Sequence, residues 1–307
     1  MEYYFLGTGA GRPSKQRNVT SGILNLLAEC GTCWLFDCGE GTQHQLMKSP
    51  YKPGKISKVF VTHLHGDHIF GLPGFLTSRS YQGGHSKVTV YGPPGIQLFL
   101  KTVFQVSESH LDYELEVVEI QEGIVMEDNR FKVEAAMVDH RIDSFGYRVT
   151  EKAGERPLYA GKLKERGIAP GPLFAQLKRG ESVCLENGEQ LHAKDFLGPA
   201  VTGRTLAVIG DTRSCARSVE LAQDCDLLVH EATFAHRHQS LAADYGHSTA
   251  VEAAEIAKEA GVQKLVITHL SSRYQEEEAG LLAEAKEIFP ETYLAHDFWG
   301  TAVPKRK

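Results

Sequence analysis

Three histidines and an aspartate crowd into six positions of this 307-residue chain, as His63-Leu64-His65-Gly66-Asp67-His68. Imidazole nitrogen and carboxylate oxygen are the ligand atoms of Zn²⁺ and similar divalent ions. His63 and His65 are two residues apart, so an extended backbone points both to one side. Gly66 allows a sharp bend. Asp67 and His68 then face another direction, at the start of a helix expected to reach Phe75. One strand end thus offers two ligand pairs to two neighbouring points. A histidine-rich solvated loop could share this composition, but it would not come with further ligands elsewhere in the chain.

The elements that must position these groups repeat one habit. Ile56 to Val61 reads as a buried strand ahead of His63. Phe131 to Val138 ends at Asp139-His140, and Thr205 to Ile209 ends at Gly210-Asp211. Asp226 to Val229 ends at His230-Glu231, and Lys264 to Ile267 at Thr268-His269. Trp34-Leu35-Phe36 before Asp37 repeats the theme. In sheets with helices on their faces, strand C-termini line up along one edge and ligands bind there. His140, Asp211 and His269 are therefore the natural partners of His63, His65, Asp67 and His68. These seven ligands suffice for two ions if one carboxylate bridges. Asp211 is the expected bridge, because a carboxylate has two oxygens and an imidazole only one free nitrogen.

Composition sets the frame. Hydrophobic residues make up 42% of the chain and charged residues 23%, as in an ordinary globular protein with ample core. No apolar run reaches membrane-spanning length, and the start, Met1-Glu2-Tyr3-Tyr4, reads as a first strand rather than a signal peptide. The six scattered cysteines fit a reducing cytoplasm. Cys30 and Cys33 read as a turn between two hairpin strands. A net charge of -6 opposes a general nucleic-acid-coating role. It leaves room for an enzyme that grips a polyanion locally, since two divalent ions would add four positive charges where they matter. Gly7-Thr8-Gly9-Ala10-Gly11 lacks the third glycine of a dinucleotide fingerprint, because Arg12 stands there.

The expected organisation is a domain in two parts, residues 1–148 and 202–307, interrupted by an insertion over 149–201. That insertion is rich in Gly, Pro and charge, and a long non-core segment is usually functional or disordered. Lys162, Lys164, Arg166, Lys178 and Arg179 give it cations. Lys15 and Arg17 do the same for the polar loop Pro13 to Asn18. Thr249 and Glu252 fit a capping box, with His247 just ahead of it. Gly280 to Phe289 should form a last helix, and Tyr293 to Val303 a last strand.

The H-x-H-x-D-H run with His140, Asp211 and His269 resembles the metallo-β-lactamase superfamily. Within it, the chain is similar to the ribonuclease Z family, on four further markers: His230-Glu231-Ala232-Thr233, His247-Ser248-Thr249, the P-x-K-x-R-N loop, and the insertion with its Gly171-Pro172. The resemblance implies an α/β fold of mixed sheets, the αββα sandwich, with an inserted flexible arm. It implies a cytoplasmic homodimer carrying two Zn²⁺ per subunit, with Mn²⁺ or Fe²⁺ also able to fill such sites. The implied reaction is hydrolytic removal of the 3′ trailer from precursor tRNA by a hydroxide bridging the two ions, leaving a 3′-hydroxyl. His63, His65 and His140 with Asp211 would hold one ion, and Asp67, His68 and His269 with Asp211 the other. Asp67 would also handle the proton of the attacking water. His247, oriented by Glu231, would serve the leaving oxygen, and Arg273 the scissile phosphate. Lys15, Arg17, Gly171, Pro172, Lys178 and Arg179 would bind tRNA. The alternative on the same fold is a hydrolase of small thioesters, lactones or sulfate esters.

Overall fold

The computed structural model describes residues 1–305 except 155, 186 and 200. The chain falls into two units, a body of Met1–Thr150 with Arg204–Pro304, and an insertion of Glu151–Gly203. The insertion starts and ends two residues later than the sequence suggests.

The body holds two seven-stranded mixed sheets. The first contains β1 (Glu2–Gly7), β2 (Ser21–Leu26), β3 (Thr32–Phe36), β4 (Ile56–Phe60), β5 (Val88–Gly92) and β6 (Leu115–Glu119). The chain then crosses to the second sheet, through β7 (Gly123–Glu127), β8 (Phe131–Val138) and β9 (Ser144–Glu151). The insertion contributes a separate two-stranded ribbon, β10 (Val183–Cys184) with β11 (Gln190–Leu191). The body resumes with β12 (Thr205–Val208), β13 (Leu227–Glu231), β14 (Leu265–Thr268), β15 (Thr292–Leu294) and β16 (Gly300–Ala302). The sheet orders are β16-β1-β2-β3-β4-β5-β6 and β15-β14-β13-β12-β9-β8-β7.

Three apolar layers explain the stacking. Between the sheets lie Tyr3, Phe36 and Phe60 from one and Phe145, Tyr147 and Val229 from the other. Phe36, Phe60 and Tyr91 stack across β3, β4 and β5 at centroid spacings of 5.2 and 5.0 Å. The outer face of the first sheet packs on helices Thr42–Lys48, Leu72–Tyr81 and Ile96–Val106. That of the second packs on Ala216–Ala222, Ala250–Glu259 and Glu278–Ile288. The capping box at Thr249 and Glu252 is formed. This is the αββα sandwich expected from sequence. At the site edge the sheets are tied directly: Phe145 N–H donates to the Thr62 carbonyl at 2.9 Å, and the Tyr147 hydroxyl to that of Val61 at 2.6 Å.

Several local expectations need correction. The helix after Gly66 breaks into Gly66–Ile69 and Leu72–Tyr81. The backbone of residues 38–39 presses into the gap: Cys38 N–H donates to the His68 carbonyl at 2.7 Å, and Gly71 N–H to that of Cys38 at 2.9 Å. A Cβ on Gly71 would lie 2.0 Å from the Gly39 carbonyl oxygen, so only glycine permits this approach. The expected last strand is two strands on different sheets, β15 beside β14 and β16 beside β1. β2 stops at Leu26, and a helical turn, Leu27–Cys30, fills the space before β3.

The insertion, taken by itself, is not a structureless arm. Helices Ala160–Glu165, Pro172–Lys178 and Ala193–Phe196 pack around Leu163, Leu177, Leu191 and Phe196. Its two ends pair as antiparallel bridges, Gly154 with Val201 and Leu158 with Leu197. Gly171-Pro172 opens the second helix, with proline at a first-turn position where its missing N–H costs nothing.

Candidate metal centre and active site

The strand ends bring the seven ligand candidates to one place. His63, His65, His140 and Asp211 present one ligand atom each within 4.8 Å of one another, and so do Asp67, His68 and His269. His65 Nδ1 lies 3.1 Å from His63 Nε2 and 3.2 Å from His140 Nε2. Asp211 Oδ2 lies 3.6 Å from His63 Nε2 and 3.5 Å from His68 Nε2, between the two groups. His269 Nε2 and His68 Nε2 stand 3.4 and 3.6 Å from Asp67 Oδ2. A tetrahedron with bonds of 2.0–2.1 Å has edges of about 3.4 Å, which matches these spacings.

The outward nitrogens fix where the lone pairs point. Asp37 Oδ2 accepts from His68 Nδ1 at 2.8 Å, and the Gly246 carbonyl from His140 Nδ1 at 2.6 Å. The Thr62 hydroxyl gives its proton to Asp37 at 2.9 Å and so accepts from His63 Nδ1 at 3.0 Å. Thr233 does the same on the other sheet, donating to Glu231 at 2.7 Å and accepting from His269 Nδ1 at 2.9 Å. In the neutral imidazole, each arrangement leaves the Nε2 lone pair facing the cluster, as ligand histidines require. His68 Nε2 is fully buried and has no hydrogen-bond partner. A buried polar atom without a partner is costly, and a cation would satisfy it. The donor set therefore fits a metal centre.

The charged groups of the cluster act on one another. Burial lowers the pKa values of His63, His65 and His140, against the pull of Asp211. For His68, burial opposes protonation but Asp211, Asp37 and Asp67 outweigh it and raise the value. Asp67 and Asp211 are held below the usual carboxylate range by the surrounding imidazoles, although burial acts the other way.

An open cleft of about 350 Å³ sits over this cluster. Asp67, His247 and Arg273 all line it. Arg273 also lies over the Phe234 ring at 5.2 Å. His247 Nδ1 meets Glu231 Oε1 at 2.9 Å. Burial pulls the His247 pKa down, but the Glu231 carboxylate more than compensates and carries it to about 9. Asp67 Oδ2 accepts from the Gly11 N–H at 2.8 Å.

Glu231 does more than orient an imidazole. It is buried and also accepts from the backbone N–H groups of Thr212, Thr233 and Ser248 at 3.1, 2.9 and 3.1 Å. Glu231→Ala strands these donors, each at about 1–3 kcal/mol. The variant should lose about 3 kcal/mol or more, lowering Tm by roughly 6–12 °C. Thermal denaturation checks this, and an unchanged Tm would contradict it.

Of the expected tRNA-binding residues, Arg17 is corrected. It is only 4% exposed, with Glu278 gripping its guanidinium at 2.7 and 2.8 Å and the Ala295 carbonyl accepting at 2.7 Å. A guanidinium spent on these buried partners holds the loop in place and is not offered to RNA. Lys15 is exposed on the same loop. Gly171, Pro172, Lys178 and Arg179 are exposed in the insertion, where Arg179 pairs with Glu181 at 2.8 Å. Asp37, Thr62, Thr233 and the Gly246 carbonyl were not anticipated as supports of the ligands. Asp37 did carry a signal, since it ends a strand as the ligands do.

Comparison with known proteins bears on this geometry. The family model described as Anti-Pycsar protein Apyc1 matches residues 1–158, and that described as β-lactamase superfamily domain matches residues 173–270. Ribonuclease Z of Geobacillus kaustophilus is 51% identical over 306 residues, covering 99% of this chain and 100% of its own. Ribonuclease Z of Bacillus mycoides is 55% identical over 299 residues, 97% of each chain.

The chain belongs to the ribonuclease Z family.

It also falls within the wider group of this fold that the two family models describe. Among solved structures, the short form of human tRNase Z superposes with a TM-score of 0.70 at 33% identity, covering 99% of this chain and 100% of the human one. The ribonuclease Z resemblance carried by the four further markers is thereby borne out, as is the metallo-β-lactamase sandwich expected from the H-x-H-x-D-H run. The histidine–aspartate cluster of this family member is a metal-using site by its donor chemistry.

Proposed function

We propose that the protein is a metal-dependent endoribonuclease that removes the 3′ trailer from precursor tRNA and leaves a 3′-hydroxyl on the tRNA. One observation carries the reading: two ligand groups, the first including Asp211 and the second 3.5 Å from it at His68, lie under a cleft lined by His247, which Glu231 backs at 2.9 Å. Two ions per subunit fit the charge of the site. Glu231 is offset by the His247 imidazolium, and Asp37, Asp67 and Asp211 leave further negative charge that divalent cations would balance. The nitrogen-rich donor set suits Zn²⁺ first, with Mn²⁺ and Fe²⁺ as the other candidates. His63, His65 and His140 with Asp211 would hold one ion, and Asp67, His68 and His269 with Asp211 the other. Ions bound there bring the pKa of water near neutrality and offset charge on phosphate oxygens.

The chain's own groups do the rest. Asp67 takes the proton of the attacking water, held toward the cleft by the Gly11 N–H. His247, kept charged by Glu231, protonates the departing 3′ oxygen. Arg273 neutralises the scissile phosphate from the cleft wall. Lys15 and the insertion, through Lys178 and Arg179, hold the tRNA body. A cytoplasmic homodimer is the matching assembly.

The deciding experiment incubates a 3′-extended pre-tRNA with purified protein, with and without chelator, and reads both product ends. A tRNA 3′-hydroxyl, a 5′-phosphorylated trailer and complete inhibition by chelator are expected. Faster turnover of a small ester than of pre-tRNA would move the reading to the esterase alternative. Excising residues 154–201 at the paired ends of the insertion should weaken pre-tRNA binding by on the order of tenfold or more, as loss of several phosphate contacts does. Hydrolysis of a small phosphodiester should persist. Equal losses on both substrates would make the insertion a structural element.

A further inference from the structure

A second groove, of about 400 Å³, adjoins the cleft. The two share Gly11, His65 and Asp67, but only the cleft is lined by His247 and Arg273. The groove is lined instead by Arg12, Glu40 and Phe70. Its volume lies within the roughly 300–1,000 Å³ of small-ligand sites. Phe70 is two-thirds exposed, at 66%, although it lies only two residues past the ligand run. Its ring is laid over Gly66, where a Cβ would come within 2.2 Å of a ring carbon. One side of the ring is thus seated against backbone that only glycine supplies, while the ring remains open to solvent. Arg12 reaches a neutral partner, the Ser272 hydroxyl at 3.2 Å, and keeps its charge available to a phosphate.

We infer that this groove is a nucleotide subsite for the first trailer residue, with its base stacked on Phe70 and its following phosphate near Arg12. The inference rests on the reading above and deepens it. The bond that breaks joins phosphorus to the 3′ oxygen of the tRNA. His247, which meets that oxygen, faces only the cleft, so the terminal tRNA nucleotide occupies the cleft. The strand that stays on phosphorus must leave by another path, and the groove shares Asp67 with the cleft but is not lined by His247. An aromatic face accepts any base, because every base has a π-surface. The stacking contact itself therefore takes any base. Glu40 is the one lining acid besides Asp67, which places the phosphate at the Arg12 end.

The test uses two pre-tRNAs differing only at the first trailer residue, one a normal nucleotide and one abasic. Wild-type kcat/KM should favour the normal substrate by about 5- to 150-fold, the size of one base–aromatic stack. Phe70→Ala should collapse that preference to near one, and Phe70→Trp should restore it. Each preference is a ratio within one protein, so an altered amount of active enzyme does not affect it. A preference undiminished in Phe70→Ala overturns the subsite, and so does a wild type that cuts both substrates equally well. A wild type that cuts neither overturns the nuclease reading and the subsite with it.

Discussion

Asp67→Ala is expected to abolish pre-tRNA cleavage, with a loss on the order of 10⁴-fold. That is the upper end of what one positioned acid–base group contributes. The upper end applies because the side chain has two duties. Its Oδ2 faces His269 and His68 at 3.4 and 3.6 Å, as a ligand must, and it also lines the cleft where substrate lies. Asp67→Asn separates charge from shape. The amide keeps an oxygen to accept from Gly11 but cannot take a proton from water, so it should be nearly as inactive. Single-turnover rates and metal content per chain check both variants. A tenth of wild-type activity in either, at full metal content, would remove Asp67 from the proton transfer.

His247→Ala should lower kcat on pre-tRNA by on the order of 10²-fold while KM changes little, the signature of a group acting mainly in the transition state. The imidazole is held against Glu231 at 2.9 Å, and a pKa of about 9 keeps it charged at neutral pH. A diester with a nitrophenolate leaving group needs no proton at the departing oxygen. The variant should therefore lose far less on that substrate. Equal losses on the two would reassign His247 to substrate positioning, and a wild-type kcat on pre-tRNA would leave it without a role. Glu231 cannot serve as the cleaner probe, because the backbone donors it satisfies make its removal a folding defect.

The ligand set was legible because each member follows an apolar run, and parallel strands deliver their C-termini to one edge. Asp37 obeyed the same pattern. Thr62 and Thr233 could not be found this way: a threonine beside a ligand has no distinctive spacing, and its role depends on where its hydroxyl proton goes. Arg17 was misread for a related reason. In sequence it sits in a polar surface loop, but its carboxylate partner, Glu278, is brought to it only by the closed sandwich. The split of the last strand escaped because residues 293–303 read as one extended run, and the turn over His296–Trp299 depends on contacts with β1 and its following loop. β7 and β9 lacked the alternation that marks a half-buried strand. The first lies at a sheet edge with mostly exposed residues, and the second is covered on both faces along most of its length.

The segment between β15 and β16 bears on when a newly made chain becomes active. Asp297 accepts from the Thr8 hydroxyl, the Asn18 N–H and the Gln45 amide at 2.7, 2.7 and 2.9 Å, and Ala295 accepts from Arg17. These contacts clamp the loop whose Gly11 steadies Asp67. During synthesis on the ribosome, residues 295–297 emerge long after the H-x-H-x-D-H run. Until they dock, the loop has no clamp and the first sheet lacks the partner strand beside β1. The Gly11 loop, and with it the seat of Asp67, is thus fixed only once residues 295–297 have docked.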